Sequence, residues 1–153
     1  MAGKKTGKKI LIIDDEKPIG KLVGHLVRSM SHQPIICENG EQAIEHIEGV
    51  DLIITDFNLS GGRGLNGVQL AKKAKTLRPE LPVIIMTGNS DAIPPHHLAD
   101  GVIDKPFGLD WLRYVISDCL RNRFKKGGED GGKICSKGSK VCFDNRGNRD
   151  CLF

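Results

Sequence analysis

The sequence predicts an α/β fold built on a parallel β-sheet, and three observations carry that expectation. Short apolar runs alternate with helical periodicity five times along the chain. The runs are short and rich in Val and Ile, as strands buried on both faces tend to be. The first of them, within ILIIDDEKP at residues 10–18, stops abruptly at Asp14, Asp15 and Glu16, so an apolar strand hands adjacent acids to its own carboxyl end.

The expected strands are residues 10–13, 34–38, 51–56, 82–87 and 101–104. After the first, Ile19, Leu22, Val23, Leu26, Val27 and Met30 recur on one helical face, with Pro18 suited to a first turn. Asn39-Gly40 then marks a turn, and Ala43, Ile44 and Ile47 begin a briefer second helix. Val68, Leu70, Ala71, Ala74 and Leu77 give the third, closed by Arg78-Pro79. The fourth, around residues 91–99, contains Pro94 and Pro95 and should be short or irregular. A fifth, from Leu109 to about Phe124, turns Leu112, Val115, Ile116, Cys119 and Leu120 inward, with Phe107 and Trp111 packing beside it.

A chain of 153 residues supports one domain with a real core. The expected division is a basic N-terminal arm at 1–8, a folded unit at 9–126 and a Gly-rich tail at 127–153. The tail lacks the apolar content to offset ordering entropy and is expected to be disordered or loosely docked. Lys and Arg total 23 against 19 acids, but the surplus sits in the arm, and residues 10–126 carry 14 bases against 15 acids. A nucleic-acid surface within the fold is therefore not expected. No apolar stretch approaches the ~20 residues a bilayer span requires, so a cytoplasmic protein without membrane contact is expected. Cys37 and Cys119 fall in apolar segments, while Cys135, Cys142 and Cys151 show no zinc-ligand spacing. His25, His32, His46, His96 and His97 show none either, and GKKTGKK at 3–9 is too short for a phosphate loop.

In an open parallel sheet, ligands sit beyond the carboxyl ends of the strands. Those ends are Asp14-Asp15, Asp56, Thr87-Gly88 and Asp104-Lys105-Pro106. Two carboxylates about 4 Å apart repel by roughly 4 kcal/mol at an effective dielectric near 20, so a cation should share the site. Mg²⁺ suits a few carboxylates supplemented by water and phosphate oxygens. Lys105 adds a point charge fitted to a phosphoryl group, and Thr87 adds a short hydroxyl donor. Phosphorylation of a carboxylate is the chemistry these groups fit.

This ordered set, Asp14-Asp15, Asp56, Thr87 and Lys105-Pro106-Phe107, resembles the receiver domain of response regulators across about residues 8–125. The resemblance implies a flavodoxin-like, doubly wound sheet of five strands in the order 2-1-3-4-5 with five helices. It also implies that Asp56 is the phospho-acceptor, that Asp15, Asp56 and the backbone carbonyl of Asn58 bind Mg²⁺, and that Asp14 contributes through water. Thr87 and Lys105 would contact the phosphoryl oxygens. The donor would be a phosphohistidine on a sensor kinase or phosphotransfer protein, and with no output domain following, signalling would pass by protein–protein contacts. The sequence departs from the family at Val102, where Tyr or Phe is usual, and in the long loop FNLSGGRGLNG after Asp56.

Two rivals stand beside that reading. An aspartyl-phosphate phosphatase or phosphotransferase would need an acid two residues after its nucleophile, where this chain has Asn58. A receiver-like scaffold that works without phosphorylation is suggested by Val102 and the long loop.

Overall fold

Five strands pair in parallel in the order β2-β1-β3-β4-β5, as the family resemblance implies. They are β1 (Lys9–Ile13), β2 (Gln33–Cys37), β3 (Leu52–Asp56), β4 (Val83–Thr87) and β5 (Gly101–Asp104). The computed structural model describes residues 7–59, 64–94, 98–122, 141–143 and 149–151. Four α-helices lie among these: α1 (Lys17–Ser29), α2 (Gly40–Ile44), α3 (Gly67–Leu77) and α4 (Leu109–Asn122).

Period-two alternation divides the core between the two faces of the sheet. Ile10, Ile12, Leu52, Ile54, Ile84, Met86 and Ile103 meet Val23, Leu26 and Val27 of α1 and Leu112, Val115, Ile116, Cys119 and Leu120 of α4. On the other face Leu11, Ile13, Ile53, Val83, Ile85 and Val102 meet Ala43 of α2 and Leu70, Ala71 and Ala74 of α3. Phe107 and Trp111 pack against the first cluster, and Cys37 and Cys119 are buried free thiols. Helices on both faces explain why the strands read as nearly continuous apolar runs.

The helix count differs from the expected five. Where the fourth was expected, the structure has a 3₁₀ turn, Ser90–Ala92, followed by Ile93 in extended conformation (φ −81°, ψ 128°). The cause is Pro94: a proline's ring disfavours the helical region for the residue before it. The second helix is one α-turn and a 3₁₀ turn at Ile47–Gly49. By contrast α3 opens with a reciprocal capping box, in which Asn66 accepts from the Gln69 backbone and the Gln69 side chain accepts from the Asn66 N–H.

In the tail, Val141–Phe143 (β6) and Arg149–Cys151 (β7) pair antiparallel. The rest of 127–153, most of the basic arm, residues 60–63 of the long loop and His96 and His97 lie outside the described residues. No described helix is long and apolar enough to cross a membrane.

Arg78 closes the amino edge of the sheet. Its Nη1 donates to the carbonyls of Ile47 at 3.0 Å, Glu48 at 3.2 Å and Val50 at 2.6 Å, while its Nε pairs with Glu80 at 3.0 Å. Removing a largely buried charged donor that satisfies three carbonyls typically costs about 2–4 kcal/mol. Urea denaturation of Arg78→Ala should show a loss of that size, with Arg78→Lys recovering only part because an ammonium lacks the planar fork.

Candidate functional site

Strand register brings the predicted residues to one edge. Ile13 pairs with Thr55, so Asp14 follows β1 at the level where Asp56 ends β3. Asp56 in turn pairs with Met86, and Thr87 pairs with Asp104. The chain beyond the strands is also tied down: the Phe57 N–H donates to Met86 O at 2.8 Å and the Lys105 N–H to Thr87 O at 2.7 Å. The Lys105–Pro106 peptide is cis.

The outcome is a cluster of carboxylates around one ammonium. Lys105 Nζ lies 3.3 Å from Asp14 Oδ2, 3.3 Å from Asp56 Oδ1 and 3.6 Å from Glu16 Oε1. Asp14 and Asp56 are buried, 1% and 6% exposed, whereas Asp15 is exposed. One oxygen from each of Asp14, Asp15 and Asp56 can be chosen so that all three lie within 4.8 Å of one another. An all-oxygen set of this compactness fits a hard divalent cation such as Mg²⁺. An open cleft of about 370 Å³ is lined by Asp15, Glu16, Asp56, Asn58, Gly88 and Lys105.

The electrostatics follow from burial. Desolvation, then the charge of Asp14, push the Asp56 carboxyl up from 3.8 to about 6, against the opposing pull of Lys105. Burial likewise raises Asp14, partly offset by the Glu16 N–H, which donates to Asp14 Oδ1 at 2.8 Å, and by Lys105. Desolvation would lower Lys105, but the carboxylates of Asp56 and Asp14 outweigh it and hold the ammonium above its usual value. The site without a cation therefore carries unrelieved negative charge.

Thr87 is buried, and its Oγ1 accepts the Asn89 N–H at 3.0 Å, which leaves its proton free to donate elsewhere. Asn58 and Gly88 line the cleft, whereas Thr87 and Asp14 are not among its lining residues. Val102 is 5% exposed and packed in the core with Ile85, Ile93 and Ala99.

Sequence reasoning passed over two contributors. Glu16 supplies a further carboxylate at the rim, and its place directly after Asp14-Asp15 was the available signal. Gly67, the first residue of α3, comes so close to the Asp56 backbone that an added Cβ would sit 2.7 Å from Asp56 O. Its N–H donates to Phe57 O at 2.9 Å, and Thr55 Oγ1 donates to Asp56 O at 3.0 Å. Together these contacts fix the backbone on either side of the Asp56 carboxylate. No local pattern could have exposed them, because α3 and β3 meet only in the tertiary fold.

Comparison with known proteins agrees with this geometry. The sporulation initiation phosphotransferase F of Bacillus subtilis is 29% identical over 119 residues, covering 74% of this chain and 94% of that protein. A cyclic di-GMP phosphodiesterase of Thermotoga maritima is 31% identical over 118 residues, 74% of this chain, which spans only about a third (31%) of that protein's length. Among solved structures, a CheY-like response regulator receiver domain protein from Methanospirillum hungatei superposes with a TM-score of 0.71 at 26% identity, covering 79% of this chain and 99% of that one. The pattern of the response regulator receiver domain itself matches residues 10–117. Because that match takes in more than half of the chain and nearly all of the five-stranded sheet, the protein belongs to the response regulator receiver domain family.

Proposed function

We propose that this chain is a phospho-accepting signalling receiver in which Asp56 takes a phosphoryl group from a phosphohistidine of a sensor kinase or histidine phosphotransfer protein. The observation that supports it most is the position of Lys105 Nζ, 3.3 Å from both Asp56 and Asp14 in a cleft that Asp15, Glu16 and Asp56 also line. In the transfer, an Asp56 oxygen forms the new bond to phosphorus while the bond from phosphorus to the histidine nitrogen breaks. That nitrogen keeps the bonding pair and regains a proton from solvent. Lys105 offsets the charge on the moving group, and the Thr87 hydroxyl donates to one of its oxygens. Asp14, Asp15, Asp56 and the Asn58 carbonyl are the groups that would hold Mg²⁺, which when bound neutralises the carboxylates and draws charge from the phosphoryl oxygens.

The phosphorylated side chain brings about −1.5 to −2 charges to a site already rich in acids. Lys105 then has a stronger partner than Glu16, which offers a local rearrangement to transmit. Val102 has no ring to swing between positions, so output in this chain runs through other contacts. Asn58 lacks the acid/base group that turnover of phosphate esters would need, which argues against a phosphatase.

Incubation with Mg²⁺ and acetyl phosphate, followed by intact-mass analysis, should add one phosphoryl group to the wild type and none to Asp56→Asn. Unchanged wild-type mass, or labelling that survives in the variant, would overturn the assignment.

The raised Asp56 carboxyl has a thermodynamic consequence. In cation-free protein the unfolded chain releases this proton near 3.8 and the folded protein near 6, so the folded state binds more protons between those values. The contribution of Asp56 to stability therefore falls as pH rises from about 4 to about 6 and levels off above that range. Cation-free Asp56→Asn should be more stable than wild type at about pH 7.5 by on the order of 1–3 kcal/mol, with the gap closing toward about pH 4. Added Mg²⁺ should stabilise the wild type more than the variant. Urea titrations at the two pH values measure both effects, and a variant less stable than wild type at the higher pH would contradict them.

A further inference from the structure

The end of the basic arm is fastened to the turn between α1 and β2, at the amino edge of the sheet and the opposite end from Asp56. Gly7 lies so close to this turn that an added Cβ would collide with the Ser31 carbonyl, and Ser31 itself is in the left-handed region, with φ +66°. Lys8 is bonded through both of its backbone groups. Its N–H donates to His32 Nδ1 at 3.0 Å, and its carbonyl accepts the Gln33 N–H at 2.8 Å. One residue on, the Lys9 N–H donates to Asp51 Oδ2 at 2.9 Å and the Lys9 carbonyl accepts the Asp51 N–H at 2.7 Å.

Among these contacts, the bond from Lys8 to His32 is the one made to a group that ordinarily titrates near neutral pH. To accept from Lys8, Nδ1 must carry no proton, so the neutral ring holds its proton on Nε2. A second proton can enter only at Nδ1, where it would face the Lys8 N–H donor to donor. The charged groups that bear on the half-buried ring are Lys8, on the arm, and Asp51, ahead of β3. Burial, then Lys8, hold the imidazole below its ordinary value against the opposing pull of Asp51.

We propose that His32 is a pH-sensitive latch on the basic arm: as the neutral ring it pins Lys8 to the α1–β2 turn, and on taking a proton at Nδ1 it loses its acceptor and releases the chain ahead of β1. Release stops at Lys9, whose two bonds to Asp51 do not involve the ring. Linkage runs both ways: an arm held to the turn keeps His32 neutral to a lower pH, and an arm set free returns it toward its ordinary 6.5.

The test follows the ¹⁵N-labelled full chain by NMR between about pH 7.5 and about pH 5. The ring shifts of His32 should report the Nε2–H tautomer at the upper end and a midpoint below 6.5. Through that midpoint, exchange of the Lys8 amide, referred to its intrinsic rate at each pH, should speed by roughly tenfold or more, while Ile12 in β1 keeps its protection. His32→Asn offers an amide oxygen that does not titrate, and should hold Lys8 across the whole range. Should Asn instead lose Lys8 at every pH, the ring nitrogen is confirmed as the anchor. Gly7→Ala, which cannot close against Ser31, should leave Lys8 exposed at every pH and move the His32 midpoint up toward 6.5. A Lys8 amide whose exchange ignores the His32 midpoint, or one that loosens at that same pH in His32→Asn, overturns the latch. An unmoved His32 midpoint in Gly7→Ala overturns it equally.

Discussion

Everything at the carboxyl edge of the sheet is arranged around one ammonium held between two buried carboxylates. Lys105 reaches Asp14 and Asp56 at equal distances of 3.3 Å, and so ties the segment after β5 to those after β1 and β3. Without it, both carboxyls would be pushed further up, since burial is the largest influence on each and Lys105 opposes it. One positive charge does not balance Asp14, Asp15, Asp56 and Glu16 together. That deficit of positive charge is one that a divalent cation would relieve.

The sheet makes this juxtaposition durable. Strands β1, β3 and β4 are almost wholly buried and paired on both sides, so the carboxylates stand on the stiffest part of the fold. Further restraint comes from the α3 terminus, where Gly67 rests on the Asp56 carbonyl and the Asn66–Gln69 capping box fixes the helix start. The segment after β4 is pinned by hydrogen bonds from the Asn89 and Asp91 N–H groups. The result is a buried Asp14–Asp56 pair beside exposed Asp15 and Glu16 at the open cleft.

This chain departs from its family's usual pattern at places that surround the site without forming its floor. Val102 is packed in the core, the segment after β4 is a 3₁₀ turn that ends before Pro94, and the loop after Asp56 leans on Glu41 through the Leu65 N–H at 3.3 Å. None of these positions belongs to the Asp14, Asp15, Asp56 and Lys105 cluster itself.

The sequence by itself determined the strands, the longer helices and the set Asp14, Asp15, Asp56, Thr87 and Lys105. Buried parallel strands leave an unmistakable apolar run, and the residue at each strand end is then known by position. Pro94 likewise announced the loss of a regular helix. Contacts between groups distant in the chain were decided only by the tertiary structure. Glu16 meets Lys105 at 3.6 Å because parallel pairing brings the segments after β1 and β5 to the same edge of the sheet, and Gly67 is confined by the Asp56 carbonyl. Gly88 lines the cleft with Asp15, Glu16, Asp56, Asn58 and Lys105. These three depend on distances set by strand register and helix docking, and a one-dimensional pattern contains the residue types without the distances.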